Sequence, residues 1–246
     1  MQFKADMHMH TQYSDGRGTM KEMMAAGLNK GLDKIAITEH GPNNIGVGIK
    51  SAEQLLDIKK EALELSAGQN IQVLVGVEAD VIGTNGEIDV PQSIYQQLDL
   101  LLVGLHPHVI PVDVEDGLSF ILPNKFFGFS SGVRKRVIRN NTNAIIEVLN
   151  KHKVDILTHP GLNMPIDYEA VAKVCAEKGT LYEINTGHND QHFQTISIIN
   201  TVARSNVNFI INSDAHYPET VGELKTGWAL LKMAGVSPER VVNVRH

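Results

Sequence analysis

Short apolar runs alternate with longer amphipathic segments along most of the chain. The apolar runs, typical of buried parallel strands, lie at residues 3–7, 34–38, 72–77, 98–105, 154–158, 180–184 and 208–211. Helical spacing of apolar positions predicts helices at 19–30, 52–67, 135–152, 168–177, 192–205 and 219–233, with a short closing helix at Pro238 and Glu239. Seven strands with intervening helices predict parallel β/α units rather than a sandwich.

A polar side chain of a metal-binding type follows almost every predicted strand. Closure of the sheet would bring all seven strand ends around one point, whereas an open doubly wound sheet would spread them along an edge. We therefore expect an α/β fold with a distorted seven-stranded (β/α)7 barrel, similar to a TIM barrel. The length of 246 residues fits one such barrel, so residues 1–246 are assigned to a single domain.

Two segments depart from the repeat. Residues 80–91 contain Asn85-Gly86, which favours a tight turn, so this segment is predicted to be a loop or hairpin. Residues 106–134 are rich in Pro, Gly and Phe and show no clear period. A loop of that length in a compact domain is usually a lid or a binding loop.

Histidines and carboxylates concentrate at the predicted strand ends. The chain has 11 histidines, and those at or just after strand ends are His8, His10, His40, His106, His159 and His216. Carboxylates in the same kind of position are Glu78 and Asp214. Asp15 follows the first strand in the turn Ser14-Asp15-Gly16, which would fold its carboxylate back over the site. A single His-x-His or His-Pro-Gly is weak evidence, because structural histidines also occur there. The joint pattern indicates a cluster of divalent cations, since imidazole and carboxylate together suit zinc, manganese or iron.

Composition and charge restrict the classes of substrate and partner that the chain is expected to bind. Hydrophobic residues make up 42% of the chain and the formal net charge is −6, without a Lys/Arg block. Long nucleic acids are therefore not expected as partners, and an anionic substrate would need bound cations or a local Arg cluster. One cysteine, Cys175, excludes an intrachain disulfide. The absence of a signal peptide or long apolar run predicts a cytoplasmic protein without a membrane partner.

The motifs at the strand ends resemble those of a known family. They are His8-Met9-His10, Ser14-Asp15-Gly16, Thr38-Glu39-His40, Glu78, His106, His159-Pro160-Gly161 and Ser213-Asp214-Ala215-His216. In order and spacing they resemble the successive motifs of the PHP (polymerase and histidinol phosphatase) superfamily. Within it, the chain is most similar to the small stand-alone YcdX-type phosphatases. The resemblance implies a distorted seven-stranded barrel with a trinuclear metal site.

The resemblance also implies which residues hold each ion. His8, His10, Glu78 and Asp214 would hold the first; Glu78 would bridge to the second, shared with His106 and His159; and Asp15, His40 and His216 would hold the third. The chain departs from the family at Glu39, where Asp is frequent, and at Asp15, where relatives have His. A carboxylate at the latter position is a harder ligand that favours manganese or iron over zinc.

The predicted activity is hydrolysis of a small-molecule phosphomonoester, with histidinol phosphate as one candidate. A metal-bound hydroxide at the trinuclear site would attack phosphorus, with Glu78, Asp214 and His216 assigned to catalysis. Arg17, Arg134 and His188 are the candidate substrate contacts. Two alternatives stay open, namely a phosphodiesterase or nuclease acting on nucleotides and a non-catalytic metal-binding module. The sequence leaves the oligomeric state open, and a homo-oligomer is one state that it allows.

Overall fold

The computed structural model describes residues 2–126, 130–188 and 192–245 and contains seven parallel strands in sequential order. They are β1 (Ala5–Asp6), β2 (Lys34–His40), β3 (Gln72–Asp80), β4 (Leu100–Gly104), β5 (Ile156–Leu157), β6 (Leu181–Asn185) and β7 (Phe209–Asn212). Every predicted strand is present, and the expected distorted barrel is confirmed. Strands β2 and β3 run beyond their predicted ends, so that His40 and Glu78 lie inside strands, in register with each other. The assignment of residues 1–246 to one domain stays a prediction.

Helices connect the strands and cover the outside of the sheet. They are α1 (Met20–Asn29), α2 (Gln54–Ser66), α3 (Gln92–Tyr95), α4 (Val114–Asp116), α5 (Leu122–Asn124), α6 (Ser131–Lys151), α7 (Tyr168–Lys178), α8 (Ile196–Ala203) and α9 (Lys225–Met233). A π-helical turn lies at Gly117–Ile121, and 3₁₀ turns lie at His192–Gln194, Pro218–Thr220 and Pro238–Arg240. The six predicted helices are present, but the last two are each divided into a 3₁₀ turn and a shorter α-helix. Within the described residues, none of these helices has the length and apolarity needed to cross a bilayer.

The prediction of an irregular loop over residues 106–134 is wrong in its central part. Continuous helical turns run from Val114 to Asn124, beginning where the Asp113 carboxylate accepts a hydrogen bond from Asp116 N at 2.9 Å. Apolar residues lie on both sides of these turns, since Phe120 is buried and Val114 is exposed. The sequence therefore lacks the one-sided apolar period by which a surface helix is predicted. The proposed lid function of this segment stays a prediction.

Residues 80–91 form the predicted hairpin. Val81 and Ile88 pair in antiparallel fashion, and Gly86 lies in the turn with a φ of 80°. A Cβ atom on Gly86 would lie 2.8 Å from the Glu147 carbonyl of α6. Glycine is needed here both for the backbone angle and for the close packing of the turn against the helix.

The barrel closes between β1 and β7 without a regular ladder. Beyond the strand ends, Met9 and Ala215 form an isolated parallel bridge, and His10 N donates to Ala215 O at 2.9 Å. Below this bridge, the Asp6 carboxylate accepts hydrogen bonds from Ser213 N at 3.0 Å and Ser213 Oγ at 2.5 Å. Side chains thus replace backbone pairing along much of this seam, and this is the main distortion of the barrel.

Residues 241–245, the closing segment, fill the other end of the same seam. The buried Asn243 side chain lies between the two strands and donates from Nδ2 to Ala5 O at 2.9 Å and to Ile211 O at 2.5 Å. Its Oδ1 accepts from Ile211 N at 3.2 Å. One amide side chain therefore satisfies backbone groups on both β1 and β7, which a direct ladder would otherwise have paired.

The inside of the barrel is apolar near the amino ends of the strands and polar near their carboxyl ends. The apolar cluster is formed by Ala36, Leu100, Leu102, Ile156 and Ile210. Because side chains alternate along a strand, the same inward rows continue with polar residues. These buried polar residues are Thr38, His40, Glu78, Asp80, Glu183 and Asn185.

Candidate metal centre

The carboxyl end of the barrel gathers all nine predicted ligands. They form four overlapping sets, in each of which one ligand atom per residue lies within 4.8 Å of the others: His10, Asp15, His40 and His216; His8, His159 and Asp214; His8, His10 and Glu78; and His40, Glu78 and His106. The structure thus brings together six imidazoles and three carboxylates that are distant in sequence. Their role as ligands stays a prediction.

The Glu78 carboxylate lies at the middle of this arrangement. Its Oε1 is 2.7 Å from His159 Nε2 and 3.6 Å from His106 Nε2, and its Oε2 is 3.0 Å from His40 Nδ1 and 3.3 Å from His8 Nε2. Burial raises the pKa of Glu78, but the surrounding histidines outweigh this and hold the pKa well below its ordinary value. An ionised carboxylate with both oxygens facing imidazoles is suited to bridging two cations.

The outer side of the centre consists of Asp15 and three stacked imidazoles. The His10 ring lies 4.4 Å from the His40 ring and 4.6 Å from the His216 ring, measured between centroids. Asp15 Oδ2 is 3.2 Å from His216 Nε2 and 3.8 Å from His40 Nε2. Burial raises the pKa of Asp15, but the His216 hydrogen bond and the nearby imidazoles lower it to about 2. His10 thus belongs both to the set with His8 and Glu78 and to this outer set with Asp15, His40 and His216. The family resemblance assigns it to the first of these sets alone.

Two of the nine residues have unusual backbone angles. His159 has a φ of 24° and Asp214 a φ of 51°, values that residues other than glycine rarely adopt. Such strain persists where the surrounding structure imposes it, and it is frequent at functional sites. Both residues lie two positions after the end of a strand, and together with His8 they form one set of the cluster.

Glu183, on β6, orients the His8 ring. Glu183 Oε1 accepts a hydrogen bond from His8 Nδ1 at 2.8 Å and from Asn212 Nδ2 at 2.8 Å. Its Oε2 accepts from His159 N at 2.7 Å. The Glu183 contact places a proton on His8 Nδ1 and turns Nε2 toward the centre, where it lies 3.2 Å from His10 Nε2 and 3.3 Å from Glu78 Oε2.

The same arrangement recurs at two further rings. His106 Nδ1 donates to Asp80, and His216 Nδ1 donates to the backbone carbonyl of Asp214 at 2.8 Å. In both cases Nε2 is left toward the centre. The sequence alone does not predict that Asp80 and Glu183 position these rings. For Asp80 a clue is present, because it lies two residues after Glu78 and both side chains are therefore on one face of β3.

Glu39 lies outside the cation-facing set. Its carboxylate accepts hydrogen bonds from Thr11 N at 3.1 Å, from Thr11 Oγ1 at 2.5 Å and from Ser14 Oγ. Burial raises the pKa of Glu39 to about 7, although the hydrogen bonds from Ser14 and Thr11 lower it. Glu39 thus anchors the tight turn that carries Asp15.

Unpaired buried atoms show that the centre fits cations. Five side-chain atoms of the described residues are buried without a well-aligned hydrogen-bond partner, and three of them are His40 Nδ1, Glu78 Oε2 and Asp214 Oδ1. Polar atoms of neighbouring cluster residues lie 3.0–3.2 Å away from them but do not align as hydrogen bonds. Buried polar groups without partners are unfavourable by about 1–3 kcal/mol each. All three belong to the nine-residue cluster, and cations coordinated there would satisfy them.

A cavity of about 260 Å³ opens above the centre. Its walls are formed by Asp15, His40, Asn44, Val47, His106, Pro107, His108, His159, Leu162, Asn163, His188, Asp214 and His216. Of the residues predicted to act in catalysis, Asp214 and His216 line the cavity, whereas Glu78 is fully buried and does not line it.

The three candidate substrate contacts differ in their positions. His188 lines the cavity, and its Nε2 is 3.3 Å from Asp214 Oδ2. Arg17 and Arg134 are exposed and are not among the described residues of the cavity wall. The Arg17 backbone nevertheless lies next to the cavity wall, since its N donates to the carbonyl O of His216 at 2.7 Å. The substrate roles of all three stay predictions.

The PHP domain model matches residues 6–187 of this chain, a range that extends from β1 through β6 and includes seven of the nine clustered residues. The chain therefore belongs to the PHP domain family, as its motifs predict.

Individual relatives cover nearly the whole chain. A "Probable phosphatase" of Syntrophotalea carbinolica is 27% identical, covering 98% of this chain and 91% of the relative. The DNA polymerase/3'-5' exonuclease PolX of Bacillus subtilis is also 27% identical, covering 99% of this chain but 40% of that protein. The histidinol phosphate phosphatase of Lactococcus lactis, solved with zinc, L-histidinol and phosphate, has a similar fold, with a TM-score of 0.66, 16% identity and coverage of 96% and 95%.

Proposed function

We propose that this chain is a metal-dependent phosphatase that hydrolyses a small-molecule phosphomonoester, histidinol phosphate being one candidate. The observation that carries the proposal is the convergence of six imidazoles and three carboxylates at one end of the barrel. The unpaired buried oxygens of Glu78 and Asp214 support cation binding at this place. The phosphatase name of the Syntrophotalea relative agrees with the proposed reaction.

We assign three divalent cations, of zinc, manganese or iron, to the centre. The proposed ligands are His8, His10, Glu78 and Asp214 for one ion, Glu78, His106 and His159 for a second, and Asp15, His40 and His216 for the third. Adjacent bound cations supply an activated water nucleophile and stabilise both the attacking and the leaving oxygens of a phosphoryl transfer.

The charge balance of the proposed centre favours a phosphate ester. Three divalent cations bring six positive charges, and the carboxylates of Asp15, Glu78 and Asp214, with Asp80 and Glu183 behind them, bring five negative ones. This leaves about one positive charge to attract a phosphate dianion. Without cations the same site would be negative in a chain of net charge −6. Loading with cations would thus reverse the sign of the site from repulsive to attractive.

The residues of the chain prepare the centre before substrate binds. Glu183 and Asp80 hold His8 and His106 with Nε2 toward Glu78. Such carboxylate–imidazole pairs fix ring orientation and strengthen the ligand. We place His188 against the phosphate, because it lies on the cavity wall beside Asp214. Arg17 and Arg134 are assigned to the mouth, where their charge would attract the ester.

The proposal is tested by metal analysis combined with turnover. Protein purified without chelator should contain more than one zinc, manganese or iron ion per chain. It should hydrolyse p-nitrophenyl phosphate, lose this activity on chelation and regain it with one of the three metals. Glu78→Gln is the matched control, since it keeps the side-chain shape but removes the bridging charge. Full metal content without turnover of any ester would support the non-catalytic metal-binding module instead.

A second candidate is a phosphodiesterase or nuclease acting on nucleotides. It is favoured by the match of 99% of this chain to part of PolX, whose name includes an exonuclease. Bis(p-nitrophenyl) phosphate separates the two candidates. Turnover of this diester without turnover of the monoester would replace the phosphatase proposal. A screen of metabolite phosphates defines the substrate if the monoester is hydrolysed, and a screen of nucleotide diesters does so if only the diester is.

A further inference from the structure

The helical turns from Val114 to Asn124 expose an apolar ridge between two grooves. Val114 is 78% exposed and Leu118 is 62% exposed. Both residues line a groove of about 430 Å³, together with Ile110 and Pro111. On the other side, the same two residues line a second groove of about 520 Å³. The ridge formed by Val114 and Leu118 is therefore flanked on both sides by space that it does not fill.

Exposed apolar side chains are concentrated in this part of the molecule. Five of the ten large apolar residues that are exposed in the described structure lie within residues 110–122. They are Ile110, Val112, Val114, Leu118 and Leu122. Together they expose on the order of 500 Å², which is within the range of the largest apolar patches on protein surfaces, many of which are functional. The area is comparable with the apolar part of the roughly 800 Å² per partner in a standard interface.

The second groove carries one acidic and one basic side chain. Glu115 lies on the ridge side of the groove, and Arg136, from the first turns of α6, lies on the other side. Both are exposed, and within the described part of the chain neither takes part in an ion pair. Ser119 and Asn140 complete the polar wall.

We propose that this surface, defined by Val114, Glu115, Leu118 and Arg136, is the interface between two copies of this chain. An interface with two-fold symmetry requires one surface that is complementary to itself. A ridge beside a groove meets this condition in shape, and an acid beside a base meets it in charge. A two-fold axis near Leu118 places the ridge of each copy in the groove of the other, with Glu115 opposite the second copy's Arg136.

The charges argue against a membrane as the occupant. Asp113 and Glu115 are exposed beside the ridge, and both would be repelled by an anionic lipid surface. In the paired arrangement, by contrast, Glu115 gains a cationic partner. A second copy of the chain therefore satisfies both the apolar and the charged parts of the surface.

The test is the mass of the protein in solution. Sedimentation velocity between about 1 and 100 µM should give a particle of twice the 27.0 kDa chain mass. Leu118→Asp should raise the dissociation constant by about 30-fold or more, because it buries a charge in the apolar centre. Met233→Asp, at another residue that is 68% exposed, is the matched control and should leave the dimer intact.

Charge reversal tests the pairing itself. Glu115→Arg and Arg136→Glu should each weaken the dimer, and the double variant should restore it. An equimolar mixture of the two single variants should also restore it, because each copy then supplies the charge that the other needs, as expected only if the residues meet across the interface. Metal content and monoester turnover should stay unchanged, since the surface shares no residue with the metal centre. A wild-type monomer at 100 µM overturns the proposal, whether or not it binds anionic vesicles. So does a dimer that Leu118→Asp leaves unchanged, or a double variant no stronger than the single ones.

Discussion

Replacing Glu39 should disturb the metal centre although Glu39 does not face it. Its buried carboxylate holds the turn from Thr11 to Ser14, which places Asp15 beside His216. In Glu39→Gln the side-chain volume is kept, but an acceptor oxygen becomes a donor, and the charge that the carboxylate carries above its pKa of about 7 is lost. The side chain at position 39 can then no longer accept hydrogen bonds from both Thr11 and Ser14. The turn is held less firmly, and Asp15 should move away from the outer cation position.

The magnitude follows from the hydrogen bonds that are changed. A hydrogen bond to a charged group contributes about 1.5–3 kcal/mol, and a neutral one contributes about half as much. The Thr11 donors can still reach the remaining carbonyl oxygen, and the Ser14 hydroxyl can rotate, so we expect a loss of about 1–2 kcal/mol of unfolding free energy. The effect on the centre should be larger in kinetic terms, with a loss of about 10- to 100-fold in metal affinity or turnover.

The assay compares metal content, KM and kcat for Glu39→Gln, Asp15→Ala and the double variant. If Glu39 acts through Asp15, the double variant should be no worse than Asp15→Ala alone, because the two changes remove the same function. Glu61→Gln is the control, since Glu61 accepts a hydrogen bond from Tyr13 on the outer side of the same turn. It should retain full metal content.

Additive losses in the double variant would refute this account, because they would mean that Glu39 acts by a route independent of Asp15. Full metal content and normal kcat in Glu39→Gln would refute it as well. Glu39→Asp then serves as a rescue: the charge returns on a shorter side chain, and partial recovery of metal content is expected.

Three further predictions concern the proposed centre. Asp15→Ala should bind about one ion fewer per chain and lower kcat by a factor on the order of 10²–10³, whereas Glu78→Ala should lose the bridged ions and all turnover. If elemental analysis shows the same metal loss in both variants, there is no separate outer site. Asp80→Asn keeps an acceptor for His106 but removes its charge, so chelator competition should show about 10- to 100-fold weaker metal binding; unchanged affinity would contradict the positioning role. Arg17→Ala should raise KM by about 10- to 100-fold with metal content unchanged; an unchanged KM places Arg17 on the solvent side.

The strands and the ligand cluster were accessible from sequence because they depend on local pattern. His8 and His10 lie two residues apart in an extended segment, so their side chains share one face. His159 directly follows one apolar run and Asp214 lies three residues after another, and parallel strands in a barrel end on one side. No long-range information is needed for these inferences beyond the closure of the sheet.

Features that depend on register or on packing were not accessible in the same way. The pairing of His8 with Glu183 joins residues 175 positions apart and follows from the barrel register. The helical turns after Asp113 have no one-sided period, because Phe120 faces the core while Leu118 faces solvent. The proximity of His10 to the outer set depends on how three rings stack, which spacing along the chain does not encode.

The closing segment has a consequence for how this protein is made. His8 and Asp214 lie on opposite sides of the β1–β7 seam, with His8 Nε2 3.5 Å from Asp214 Oδ1, and Asn243 joins the strands beneath them. While the chain is still on the ribosome, β1 through β6 can pair in order, but β1 keeps an open edge until the last strand and residue 243 have emerged. An open strand edge is a site of wrong pairing between chains. Metal capture should therefore follow the emergence of residue 243, and removing residue 243 and the residues after it should favour aggregation over a stable apo-protein.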